Sequence, residues 1–253
     1  MKTVALILTS CARMDLLKKT LSSFFKWNSY PLYEVIVIED SPLGKKTEKI
    51  VNQFDWKCKV KVLFNGKRLG QLASIEKAYS QCKSEYIFHC EDDWEFHRPG
   101  FIEESIELLE KDRQTFSVWL RDIQEYSSSL FSAENTSSST KNRSNRKIIH
   151  EICSFNPSLR RFSDLHKYFP LIQYSGDFEK RISEVLEKKG MYSVLAKRSA
   201  VTHMGWHRRI SSKNKEKSQY EFVIRMSIKR LKSFFYKLFK LKHYRKKEKA
   251  KVN

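Results

Sequence analysis

The chain has 253 residues, of which 40% are hydrophobic and 13% aromatic, with only seven glycines and five prolines. That is enough apolar material for a real core, and it excludes collagen-like, low-complexity and wholly disordered chains. Lys and Arg outnumber Asp and Glu by 49 to 29, a formal net charge of +20. Residues 213–253 hold 15 basic and 3 acidic side chains, so +12 of that excess sits in the last sixth of the chain and the basic surface belongs mainly to an appendage.

In chain order, residues 4–8 form a continuous apolar run, the mark of a strand buried on both faces of a parallel sheet. Residues 15–27 read as a helix, with Leu16, Leu17, Leu21, Phe24 and Phe25 at helical spacing. Residues 33–38 read as a second strand ending at Glu39-Asp40-Ser41-Pro42, residues 46–54 as a weak helix and residues 60–64 as a third strand. A helix follows over 69–82, then a fourth strand over 86–90 ending at Glu91-Asp92-Asp93, and a helix opened by Pro99 and running through Leu109. This βαβαβαβ order predicts a doubly wound, mostly parallel sheet flanked by helices. After a strand over 116–120 the pattern breaks. Residues 127–146 contain eight serines and read either as a surface insertion or as a lid beside a site. Order returns over 148–155, with Asn156-Pro157-Ser158 read as a turn. A helix over 178–189 ends at Gly190, and a late strand covers 192–196. The expected domains are 1–212 and a tail, 213–253.

In the tail, Ile224, Ile228, Leu231, Phe235 and Leu238 fall on one helical stripe flanked by Lys and Arg. A basic amphipathic helix of this kind suits an anionic membrane surface, and it also suits docking on its own domain. No recognised nucleic-acid motif accompanies the charge. The five cysteines are widely spaced, without a Cys-x-x-Cys pair, which points to a reducing cytoplasm. No stretch reaches the roughly 18 apolar residues that span a bilayer, and the N-terminus lacks the features of a signal peptide. The expectation is a cytoplasmic protein, soluble or peripheral on a membrane.

In an open parallel sheet, ligands bind beyond the carboxyl ends of the strands. Polar clusters fall at four such ends: Thr9, Ser10 and Arg13; Glu39 and Asp40; Lys67, Arg68 and Gly70; and Glu91, Asp92 and Asp93. Three adjacent acids after an apolar strand are costly unless a cation or a basic partner neutralises them. First and third positions of an extended backbone share a side, so Glu91 and Asp93 are candidates to share Mg²⁺ or Mn²⁺. An acidic turn is the alternative.

Residues 4–10, 35–41, 65–74 and 86–94 together resemble the nucleotide-sugar half of family 2 glycosyltransferases of the GT-A fold. The resemblance implies that acids ending the second strand hold the nucleoside. It also implies that Glu91-Asp92-Asp93 stands for the family's Asp-x-Asp motif, which binds metal and diphosphate. Two departures are Glu in the first slot of that motif, and Thr9-Ser10-Cys11-Ala12-Arg13 in place of the usual Pro-Thr-x-Asn start. Counting from Gly190, Glu179 falls where the family places its catalytic acid, with Asp177 as second candidate, and His203 falls on the terminal His, a candidate metal ligand. Read without the resemblance, Glu179 is equally a helix-start acid and His203 a buried, satisfied histidine. The implied activity is inverting, metal-dependent transfer from a nucleoside-diphosphate sugar to a glycan or lipid-linked acceptor. The alternatives are a nucleotidyltransferase on a similar sheet, and a non-catalytic nucleotide-sugar or membrane-binding protein.

Overall fold

A computed structural model describes residues 1–126, 147–174 and 177–205. The serine-rich segment and the basic tail lie outside the described residues. Strand β1 (Val4–Ser10) is buried throughout because it lies at the interior of the sheet, paired in parallel with β2 (Glu34–Glu39) and β4 (Tyr86–Glu91). β3 (Lys59–Phe64) is the outer neighbour of β2. Helices α1 (Met14–Trp27), α2 (Gly44–Val51) and α3 (Gln71–Tyr79) make the crossovers between these strands. One face packs Leu17, Leu21 and Phe24 of α1 with Val51 of α2, and with Phe101, Ile102 and Leu109 of α4 (Phe101–Lys111). Phe24 gathers the rings of Phe88, Phe96 and Phe101, with centroids 5.1–5.8 Å away. The other face packs Ile75, Ala78 and Tyr79 of α3 against Ile7, Ile36 and Ile87.

The sheet has eight strands in the order β3-β2-β1-β4-β8-β6-β9-β7, with β6 at Thr115–Trp119, β7 at Lys147–Ile148, β8 at Ser158–Arg161 and β9 at Tyr192–Leu195. β8 runs antiparallel between β4 and β6, and β7 runs antiparallel to β9. The mostly parallel α/β sheet expected from the sequence is present, with β8 the main sheet strand that sequence reading missed. Its Ser-Leu-Arg-Arg sequence looks like a polar turn, yet all four residues are buried. Helices α5 (Phe162–His166) and α6 (Phe178–Lys188) follow. A separate two-stranded sheet pairs β5 (Trp94–Phe96) with β10 (Val201–His203). No helix among the described residues is long and apolar enough to cross a membrane.

Candidate active site

Strand register brings the polar clusters together. Thr9 lies opposite Glu91, and Ser10 opposite Glu39, so the acids that end β2 and β4 flank the hydroxyls that end β1. The β5–β10 pairing sets His203 opposite Trp94, which delivers a residue some 110 positions downstream to the acidic triplet. Met204 N–H donates to the Asp93 carbonyl (2.8 Å). At Gly205 an added Cβ would collide with the Asp93 carboxylate, so only glycine permits this approach.

Asp92 has no accessible surface. Its carboxylate accepts from Ser10 Oγ (3.1 Å), Cys11 N (3.3 Å) and Arg13 Nε (3.3 Å), and pairs with Arg13 Nη2. Arg13 Nη1 donates to Asp93 Oδ2 (2.7 Å), and His203 Nε2 stands 3.2 Å from the same oxygen. The guanidinium therefore bridges the two aspartates, a geometry that a lysine's single ammonium does not reproduce. Burial works to raise the Asp93 carboxyl. The His203 hydrogen bond and the Arg13 charge outweigh it and hold Asp93 below the ordinary aspartate range. Asp93 Oδ1 is buried without a hydrogen-bond partner. Glu91 turns its carboxyl to Gln71 Nε2 (2.8 Å). Burial first, then the charges of Asp93 and Asp92, push it up to about 8. The structure thus joins Asp93 to His203 and points Glu91 elsewhere.

Glu39 and Asp40 hold loops. Glu39, fully buried, accepts from Ala12 N (2.7 Å), Thr47 Oγ1 (3.1 Å) and Ser41 Oγ. The first of these bonds secures Ala12 at φ +55°, a left-handed conformation costly for a residue with a Cβ. Asp40 accepts from Leu69 N (2.7 Å), Gly70 N (2.8 Å) and Asn65 Nδ2 (2.9 Å). Gly70, at φ +100°, thereby closes the loop that exposes Lys67 and Arg68. Arg68 stands close enough to pull the Cys11 thiol down, although burial and the Asp40 charge leave that thiol raised overall. A depression of about 400 Å³ opens beyond the ends of β2 and β3, between Ser41–Lys46 and Phe64. Another of similar size, lined by Lys2, Glu110 and Arg161, lies at the opposite end of the sheet, away from these residues.

Glu179 stands in the first turn of α6 and Asp177 at its N-cap position. Asp177 is exposed and makes no side-chain cap. Glu179 reaches solvent, yet enough protein surrounds its carboxyl for desolvation to raise it. Phe155 N–H, the Ser154 hydroxyl and the Arg160 charge oppose that rise. Its Oε1 accepts from Phe155 N at 2.7 Å. The charge of Glu179 reaches Glu91 and raises it, so the two belong to one electrostatic neighbourhood. Sequence reading missed Gln71, Ser154, Arg160 and Arg121. Arg121 lies 5.2 Å from the Trp94 ring centroid, with Trp94 against His203 at 4.6 Å. Its position just after β6, at a strand end, was the available signal.

A mostly parallel sheet that gathers basic and acidic side chains at its carboxyl ends around an acidic triplet is the arrangement of GT-A glycosyltransferases, the fold of the solved structures it is similar to. The chain belongs to glycosyl transferase family 2, whose sequence profile matches residues 6–169. By sequence alone, no curated protein matches it. Among solved structures the fold is similar to that of mannosyltransferase PcManGT from Pyrobaculum calidifontis in complex with GDP-Man and Mn²⁺. That pair has a TM-score of 0.60 and 12% identity over 81% of this chain and 59% of that one. It is also similar to GalNAc-T7 with UDP, GalNAc and Mn²⁺ (TM-score 0.63, 15% identity, 85% of this chain and 46% of that one). For S. aureus TarS 1–349 the values are 0.58, 13%, 81% and 61%. The chain spans between 46% and 61% of these relatives' lengths, and the likeness is one of fold. The family match ends before Glu179 and His203, so their placement rests on geometry.

Proposed function

We propose that this glycosyltransferase moves a sugar from a nucleoside-diphosphate sugar to a hydroxyl of a glycan or lipid-linked acceptor, with inversion, using Mn²⁺ or Mg²⁺. The observation that carries the reading is Asp93: one carboxylate oxygen is held by Arg13 and His203, and the other is buried without a partner. Among the described residues no group of three His, Cys, Asp or Glu side chains surrounds a common point. A hard divalent cation in phosphate chemistry needs only one or two carboxylates, with the substrate's phosphates completing its shell. Asp93 and His203 fit that requirement and would hold it. Such a cation, when bound, supplies charge stabilisation for the departing diphosphate.

The chain's own residues do the rest. Ser10 and Asp92 fix the turn that aims Arg13, which lends positive charge to the phosphates together with Lys67 and Arg68, with Thr9 at the same strand end as a further donor contact. Glu39, Asp40 and Gly70 serve the donor through the loops they shape. Glu91, the other proposed cation ligand, accepts from Gln71 Nε2 beside them. Glu179, with Asp177 second, takes the acceptor hydroxyl's proton as that oxygen bonds to the anomeric carbon and the nucleoside diphosphate leaves with the bonding pair.

A thermal-shift series with UDP-sugars and GDP-sugars, each with and without Mn²⁺, tests the donor and the metal together. A ligand that binds only the native state at 100 times its Kd adds about 2.7 kcal/mol. The true donor is expected to raise the melting temperature by several degrees, and more with Mn²⁺ than without. Release of pyrophosphate in place of nucleoside diphosphate would instead mark nucleotidyl transfer. Residues 213–253 support a further reading, in which their basic amphipathic pattern holds the protein on an anionic membrane at its cytoplasmic face. Full-length protein is expected to float with phosphatidylglycerol liposomes and a chain ending at residue 212 to remain below. Equal flotation of both would refute the tail's role.

A further inference from the structure

Arg160 has no accessible surface. It lies on β8 opposite Ile87 of β4, and two of its nitrogens, Nε and Nη1, have no hydrogen-bond partner. Beside it, both ring nitrogens of fully buried His89 and the hydroxyl of fully buried Tyr79 are likewise without partners. Burial first, then the Arg160 charge, holds His89 well below its ordinary pKa, so it stays neutral. Taking a guanidinium out of water costs several kcal/mol. The Phe116 and Phe155 rings, with centroids 5.9 and 6.0 Å away, offset only part of that. An aliphatic side chain of similar volume would fill the same space without the cost. Violations of this kind concentrate at functional sites, which directs attention to what Arg160 holds.

Its third nitrogen, Nη2, donates to the Ser154 carbonyl and to Ser158 Oγ, both at 2.6 Å. These two bonds tie down both ends of the segment 154–158. The same segment grips Glu179: Phe155 N–H donates to Oε1 at 2.7 Å, and the Ser154 hydroxyl lies near enough to favour the ionised carboxylate. Ser154 Oγ accepts from Asn156 Nδ2 at 2.7 Å and from Asn156 N at 3.3 Å, which ties the hydroxyl into the segment. The Phe155 ring stacks on Phe178 at 5.3 Å and 13°, locking the segment to the first turn of α6.

We propose that Arg160 is a positioning residue for Glu179, clamping segment 154–158 so that the Phe155 amide, with the Ser154 hydroxyl beside it, holds the carboxylate in place. The inference rests on Glu179 as the acceptor's base. Among the described residues, the charged and titratable groups with the largest effects at Glu179 include Arg160, Glu151, Glu91 and the Cys153 thiol. Of these, only Arg160 favours the ionised carboxylate.

The test is ¹³C-carboxyl NMR of the full-length, glutamate-labelled protein, with the Glu179 resonance assigned from E179Q. In R160M the Glu179 midpoint is expected to move to higher pH, and R160K should recover most of the shift. S154A is expected to move it the same way by less. Nucleoside diphosphate release from the donor identified by thermal shift should fall on the order of 100-fold in R160M, the scale of a small misplacement at a reacting centre, with KM for the donor unchanged. An unmoved midpoint in folded R160M overturns the proposal. Should R160M fail to fold, an unmoved midpoint in S154A overturns it equally. Near-normal turnover in E179Q, alongside a shifted midpoint in R160M, would reject Glu179 as base while leaving Arg160 as the residue that sets it.

Discussion

Asp93→Asn is expected to lower nucleoside diphosphate release on the order of 1,000-fold, and to erase the extra thermal stabilisation that Mn²⁺ gives the donor complex. The size follows from the several kcal/mol of transition-state charge stabilisation a bound cation supplies, with each 1.36 kcal/mol worth about tenfold. Asparagine keeps the shape beside Gly205, where no larger neighbour fits, so folding is expected to survive. Arg13 also retains Asp92 through Nε and Nη2. The neutral amide loses the charge that draws a hard cation, and it loses the ion pair with Arg13 Nη1. Turnover within a few-fold of the parent, with Mn²⁺ still adding to donor stability, would remove Asp93 from the mechanism.

Glu179→Gln should lower turnover about 10²- to 10⁴-fold, the range for a positioned general base, while donor affinity stays near that of the parent. The parent should show an acid limb in its rate, because only the ionised carboxylate accepts the acceptor's proton. Activity therefore rises with pH through the Glu179 midpoint. Desolvation sets that midpoint above the ordinary glutamate value, against the pull of Phe155 N–H, Ser154 and Arg160. The limb should vanish in the glutamine variant. An acid limb that persists unchanged would mean that another group titrates there, with Asp177, exposed at the N-cap position of α6, the first to examine.

These two experiments probe residues whose legibility in the sequence differs. Asp93 stands in an acidic triplet straight after an apolar strand, a local pattern that declares its own cost. Glu179 was reached only by counting from Gly190 and through the family resemblance, because a helix-start acid looks the same whether or not it does chemistry. Ser154 and Arg160 gave no signal at all, and Asn156 was legible only as part of a turn. An Arg-Arg pair after Asn-Pro-Ser reads as a surface turn, and only the insertion of β8 between β4 and β6 buries it. Glu39 and Asp40 were legible as strand-end acids, but not as holders of the Ala12 and Gly70 backbone, since those bonds cross from one loop to another.

The amino-acid sequence by itself determined most of the alternation of strands and helices through residue 120, the buried strands and the end of the sheet where polar groups collect. Those properties follow from side-chain periodicity and from the mismatch between apolar runs and the charges that end them, both readable over a few residues. Tertiary structure alone decided that β8 runs antiparallel inside the sheet, that β5 and β10 pair to bring His203 to Asp93, and that Arg13 bridges two aspartates about 80 positions away. Each of those is a contact between distant segments. Its energy depends on which groups water leaves behind when the sheet closes, and a local window does not contain that information.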